Sequence, residues 1–163
     1  MTAQGGDLRA IGMLYRYYYQ RLSRYAYKIG GTRELAQEAI QDAWIRAMKT
    51  LTRLEDPRAF RSWMYTLVRW RVIDLLRTAD RYCQEQEEPL DQATTLEVDD
   101  EGPEALRLAI NRLPSLERQI IHLFYLDELQ VKEIASVLNI ASGTVKSRLN
   151  RARKLLRQRF KIN

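Results

Sequence analysis

The chain is 163 residues long, with one cysteine, one histidine and 27 Lys/Arg against 21 Asp/Glu, a formal net charge of +6. A single cysteine, Cys83, excludes an intrachain disulfide and a cysteine cluster for zinc or iron–sulfur, and no phosphate-binding glycine loop is present. There is no signal-peptide pattern and no apolar run near the ~18 residues of a membrane helix, so a cytoplasmic protein without membrane insertion, metal or cofactor is expected.

The charge is unevenly placed. Residues 1–81 carry a net +7, residues 82–104 a net −9 with no basic side chain, and residues 105–163 a net +8. Two basic blocks therefore flank an acidic connector, a division that length alone would not reveal.

From Asp7 to Ile29, Leu14, Tyr18, Leu22, Tyr25 and Ile29 recur at steps of three and four, which predicts one amphipathic helix ended by Gly30 and Gly31. Tyrosines on or beside this stripe are expected to pack rather than to stack on bases. Thr32 is a helix cap, and the spacing predicts a second helix to about Met48, with Leu35, Ala39, Ala43 and Ala47 inward and Ile40, Trp44 and Met48 widening the stripe. Glu34, Glu38, Gln41 and Asp42 form its polar flank. Asp56 as cap and Pro57 at the first helical position open a third helix to about Arg77, rich in both apolar residues and arginine. From Thr78 to Gly102 the periodicity fades, and a flexible acidic linker is expected.

Beyond it, Pro103 and Glu104 open a short helix through Leu113, and Pro114-Ser115 begins another carrying Leu116, Ile120, Ile121, Leu123, Phe124 and Leu126. His122 lies inside that apolar run and reads as a packed histidine, which leaves an enzyme the weakest reading. The stretch from Gln130 to Phe160 then reads as two helices meeting at a tight corner. Val131, Ile134, Ala135 and Leu138 form the first apolar face, and Asn139 tolerates the left-handed backbone that a corner needs. The second helix, capped by Ser142, is expected to bury Val145, Leu149, Ala152, Leu155 or Leu156, and Phe160. Its other faces are crowded with cations, and no acidic residue follows Glu133. Such a helix suits a polyanion, with side chains of its early turns reaching base edges in a major groove.

The segments FRSWMYTLVRWRVIDLLR from Phe60, Gly143-Thr144-Val145-Lys146-Ser147-Arg148-Leu149 and Arg151-Ala152-Arg153 carry a resemblance over nearly the whole chain. In this order, around an acidic connector, they resemble a bacterial RNA polymerase sigma factor of the small extracytoplasmic-function (ECF) group. The resemblance implies an all-α protein of two small helical domains: residues 1–80 similar to sigma region 2, a linker over 81–103, and a region 4-like helix-turn-helix domain over 104–163. It further implies a non-enzymatic factor that binds core RNA polymerase, directs it to promoter DNA and helps to open it, commonly under an anti-sigma protein. On this likeness Glu38, Gln41, Asp42 and Trp44 fall where relatives dock on the polymerase. Trp44 would be an aromatic anchor there if exposed. Arg69, Trp70, Arg71, Asp74 and Arg77 fall where the minus-ten element and its melted strand are held. Many relatives have asparagine where this chain has Trp70, so stacking or packing replaces amide readout at that position. Thr144, Lys146, Ser147, Asn150 and Arg151 are the base-edge candidates at the minus-thirty-five element, with Arg148 beside them on phosphate.

The competing reading is a self-sufficient helix-turn-helix regulator that binds operators as a dimer. A ligand pocket in the first block would favour it. That block instead spends its polarity on arginine and an acidic flank.

Overall fold

The computed structural model describes residue 5, residues 7–84 and residues 103–160, except for the side chains of 81–84 and 160. All regular structure among these residues is helical. The interior of the acidic connector lies outside them.

Helix α1 spans Leu8–Gly30 and starts where the Asp7 carboxylate accepts the Arg9 amide at 2.9 Å. It ends at Gly31, whose φ of 82° is left-handed and whose N–H donates to the Tyr27 carbonyl. Gly30 packs against Leu35 and Val72, so a Cβ added there would make the end of the Leu35 side chain shift. Thr32 accepts the Leu35 amide and opens α2 (Arg33–Thr50). Four buried alanines on α2, Ala36, Ala39, Ala43 and Ala47, let the neighbouring helices approach closely around Ile40 and Trp44. Met48, expected inside, is half exposed, because it sits on the rim of an open groove that it lines with Leu8, Ile11 and Tyr15 of α1.

Asp56 accepts the Arg58 amide, Pro57 opens a short 3-10 turn, and α3 follows as Phe60–Gln84. Phe60, Met64, Val68 and Val72 repeat every four residues and form its buried stripe, with Tyr65 beside them. The helix passes the expected stop near Arg77, because the residues from Thr78 to Gln84 include neither proline nor glycine.

In the second block, α4 (Pro103–Asn111) ends two residues short of the expected Leu113, and α5 covers Ser115–Ile121. The single helix expected through Leu126 instead widens into a π turn over His122–Leu126, closed by the Asp127 amide on the His122 carbonyl. Leu126 is consequently exposed. Helix α6 (Val131–Leu138) begins with the Glu133 carboxylate accepting the Gln130 amide at 2.7 Å. It ends at Asn139, with φ 53° and ψ 50°, and α7 runs Ser142–Phe160. Ser142 is already the first residue of α7, and the Ala141 carbonyl accepts the first amide, that of Val145. Because a β-branched residue is poorly tolerated at left-handed φ, Asn139→Val should cost about 1–2 kcal/mol in denaturant unfolding. An unchanged midpoint would show that the corner does not depend on this backbone.

The two blocks share one apolar core. Tyr25 of α1 and Tyr65 of α3 pack together, and the Tyr25 ring lies 5.8 Å from that of His122. Burial pushes the Tyr25 and Tyr65 hydroxyls well above the usual tyrosine range, with the nearby Asp127 carboxylate adding to both. His122 is buried as expected, but neither ring nitrogen meets a hydrogen-bond partner among the described residues; Nε2 stands 3.1 Å from Asp127 Oδ2 outside hydrogen-bond geometry. Around this core, Arg61 of α3 bonds Glu133 of α6, Arg69 Nε donates to Gln119 Oε1 at 3.3 Å, and Lys28 Nζ donates to Asn111 Oδ1 at 2.8 Å.

Candidate nucleic-acid interface

Helix α7 turns Val145, Leu149 and Ala152 inward, and this fixes what faces out. Lys146, Ser147, Asn150, Arg151, Lys154 and Arg157 are exposed, whereas Thr144 and Arg148 sit on the flank. Gly143 opens onto free space, since an added Cβ there would meet nothing within 4 Å. The expected base-reading residues therefore share one accessible face, and its early turns are free of bulk. Two of their polar groups are partly engaged: Ser147 Oγ donates to the Thr144 carbonyl at 3.0 Å, and Arg153 Nη1 donates to Asn150 Oδ1 at 3.4 Å. Arg153 itself leans away from that face, over the rings of Phe124 and Tyr125, and donates to the Tyr125 hydroxyl at 2.8 Å.

Although no acid follows Glu133 in sequence, α7 is not without a counter-charge. Glu117 of α5, only 1% exposed, accepts from Arg148 Nη1 at 2.9 Å and stands 3.5 Å from Arg151 Nη1. The sequence carried a signal for it: Glu117 lies three and four residues before Ile120 and Ile121, so it is a charge on an apolar face.

On the first block, α2 and α3 bring the other two candidate sets side by side. Arg71 Nε donates to Asp42 Oδ2 at 2.6 Å and Arg71 Nη1 to Asp74 Oδ2 at 2.7 Å, with Glu38 Oε1 at 3.5 Å from Nη2. Burial opposes its charge, but these carboxylates hold the Arg71 guanidinium above its ordinary range. Arg71, expected on phosphate, is thus neutralised within the fold. It ties the acidic flank to the start of the strand-holding set. Trp70 is 57% exposed and lines a cleft of about 490 Å³ with Arg46, Leu67, Arg71, Asp74 and Arg77. Arg69 is drawn toward Gln119 on the opposite side. Trp63 packs against Phe60, as its spacing implied.

Trp44 is 5% exposed, wedged between Tyr15 at 5.1 Å and Phe60 at 6.5 Å. The exposure on which a Trp44 anchor depended is not met. Glu38 and Gln41 do face outward. Beside Gln41, α1 and α2 frame an apolar groove of about 710 Å³ that includes Leu8, Ile11, Tyr15, Ile45 and Met48.

Sigma-70 region 2 matches residues 14–82, and Sigma-70, region 4 matches residues 104–156. The ECF RNA polymerase sigma factor RpoE of Cereibacter sphaeroides is 30% identical over 159 residues, covering 93% of this chain and 87% of its own length. The chain belongs to the ECF RNA polymerase sigma factors.

ECF sigma factor SigW of Bacillus subtilis is 29% identical over 171 residues, 96% of this chain and 91% of its own. Two solved structures share the fold. RpoE of Bartonella quintana, solved with the anti-sigma factor NepR, superposes with a TM-score of 0.78 at 20% identity over 96% of this chain and 99% of that one. CnrH, solved with the cytosolic domain of CnrY, does so with a TM-score of 0.71 at 23% identity over 98% and 93%. As an ECF sigma factor the protein is a non-enzymatic factor that directs RNA polymerase to promoters, and the dimeric operator-binding alternative is not favoured. Among the described residues no helix is long and apolar enough to cross a membrane.

Proposed function

We propose that this sigma factor grips promoter DNA at two places. Helix α7 sets register on the duplex upstream element, with Thr144, Lys146, Ser147, Asn150 and Arg151 toward base edges and Arg148 at the groove's rim. The α3 face around Trp70, Asp74 and Arg77 holds the opened strand of the minus-ten element, where cations follow the backbone and the exposed Trp70 ring offers a stacking surface, while Arg69, bonded to Gln119, lies off that face. Arg71 serves that face as a brace between α2 and α3. Core polymerase docks on α2 through Glu38, Gln41 and Asp42, with the apolar groove beside Gln41 supplying buried area and Trp44 supporting it from beneath.

The observation that carries this reading is the division of α7 into a buried stripe of Val145, Leu149 and Ala152 and an opposite exposed face of Lys146, Ser147, Asn150 and Arg151. Arg151→Ala is expected to reduce discrimination between the cognate upstream element and a variant at one base pair roughly tenfold, measured with holoenzyme. Equal loss on cognate and random duplex would assign Arg151 to phosphate instead.

Region 2-like and region 4-like domains over residues 1–80 and 104–163, joined by the linker 81–103, are the division we infer, supported by the two family matches and by the charge reversal between them. An anti-sigma protein is the inferred inhibitor, since a sigma factor of this fold is solved in complex with an anti-sigma factor. We place the protein in the bacterial cytoplasm, on the nucleoid when it is part of holoenzyme.

A further inference from the structure

We infer that Glu117 is a positioning residue for base recognition, holding Arg148 and Arg151 in the orientation from which α7 reads DNA. The inference rests on the reading that α7 enters a duplex. It starts from an electrostatic requirement. A carboxylate that is 1% exposed is costly unless it is paired, and Glu117 meets this cost with two guanidinium groups from one helix.

The spacing makes the double contact possible. Arg148 and Arg151 stand three residues apart on α7, hence on neighbouring positions of one face, and a single oxygen, Oε1, lies 2.9 Å from the first and 3.5 Å from the second. Each contact uses one Nη1. A guanidinium has five N–H donors, so most of each fork stays available to a base edge or phosphate. Arg148 is hydrogen-bonded at one nitrogen and Arg151 held within ion-pair distance at one, while the side chains remain 38% and 58% exposed, respectively, and so open to solvent.

Two consequences favour sequence discrimination over general affinity. An arginine already restrained in the free protein loses less rotamer freedom when it forms a bidentate contact with a guanine, so the aligned contact gains relative to a misaligned one. The buried negative charge also offsets part of the field that these two cations present to any phosphate, which lowers sequence-independent binding.

The test uses holoenzyme assembled from core polymerase and the full-length chain, with a duplex selected by the wild type and the same duplex scrambled in its upstream element. Glu117→Gln keeps the side chain's shape and one carbonyl acceptor but removes the charge. The expected result is a roughly tenfold fall in the ratio of selected to scrambled affinity, with scrambled binding unchanged or tighter and the thermal midpoint near that of the wild type. Added to Arg151→Ala, Glu117→Gln should change the ratio about twofold or less, since both substitutions act through one contact. An unchanged ratio in the folded variant would overturn the assignment. So would a parallel fall of selected and scrambled binding with a lowered midpoint, which marks a purely structural tie. If wild-type holoenzyme prefers no upstream duplex at all, the promoter reading fails, and this assignment with it; loss of the assignment alone leaves the wild-type preference intact.

Discussion

Trp44→Ala is expected to destabilise the chain by about 3–5 kcal/mol, the usual cost of truncating a packed aromatic. Trp44 sits at the junction of α1, α2 and α3, against Tyr15 and Phe60, and the small alanines around it cannot expand into the space it would leave. Since a whole domain of this size is stable by only about 5–15 kcal/mol, such a loss would bring the first block close to unfolding at growth temperature. Trp44→Phe should cost much less, because the buried indole N–H meets no acceptor among the described residues and most of the ring volume is kept. Polymerase binding by the alanine variant would then fall with the folded population and recover on cooling toward its stability maximum. Urea unfolding separates the two roles. A change below about 1 kcal/mol with weakened polymerase binding would restore Trp44 as a direct contact.

Arg61→Ala should cost about 2–3 kcal/mol, between the value of an exposed ion pair and that of a fully buried one. Arg61 joins the two blocks by donating from Nε to Glu133 Oε1 at 3.0 Å, from Nη2 to Oε2, and from Nη2 to the Glu128 carbonyl at 3.4 Å. Its loss leaves Glu133 partly buried and bonded only to the Gln130 amide. Burial pushes the Glu133 carboxyl upward, but the Arg61 and Gln130 hydrogen bonds outweigh it and hold the group below its ordinary 4.5. Because the folded value is the lower one, the pair's contribution is complete above pH 4.5 and disappears as pH falls through the folded value. The difference between wild type and variant should therefore be full at neutral pH and shrink progressively in acid below pH 4.5. An equal difference at neutral and acid pH would assign the effect to lost packing of the Arg61 stem.

The contrast between these residues shows what the sequence made legible. Most local signals read well: Thr32 and Asp56 cap as expected, the first helix stops at Gly30 and Gly31, and Asn139 takes the left-handed backbone of the corner, although Ser142 lies inside α7 rather than capping it. Each depends on chemistry within a few residues. Helical spacing also placed Val145, Leu149 and Ala152 inside, and so exposed the reading face. It could not rank Trp44 against Met48 at the edge of one stripe, because Trp44 is covered by Tyr15 and Phe60 from other helices whereas Met48 lines an open groove. The stop at Arg77 failed because fading periodicity marks lost burial rather than the end of a helix. Long-range charge pairing was invisible for a different reason. Glu117 is 31 residues from Arg148, and Arg61 is 72 from Glu133, so no periodicity connects them. These pairings determine which cations remain available to DNA.

The central claim is that the two blocks recognise a promoter together and only as part of holoenzyme. The direct measurement is to sequence the DNA that the full-length chain retains from a random pool, with and without core polymerase. Two short elements at a fixed separation should be enriched only when core polymerase is present, with the upstream element lost on Arg151→Ala. Enrichment of a palindromic site by the free chain, undiminished without polymerase, would contradict the claim.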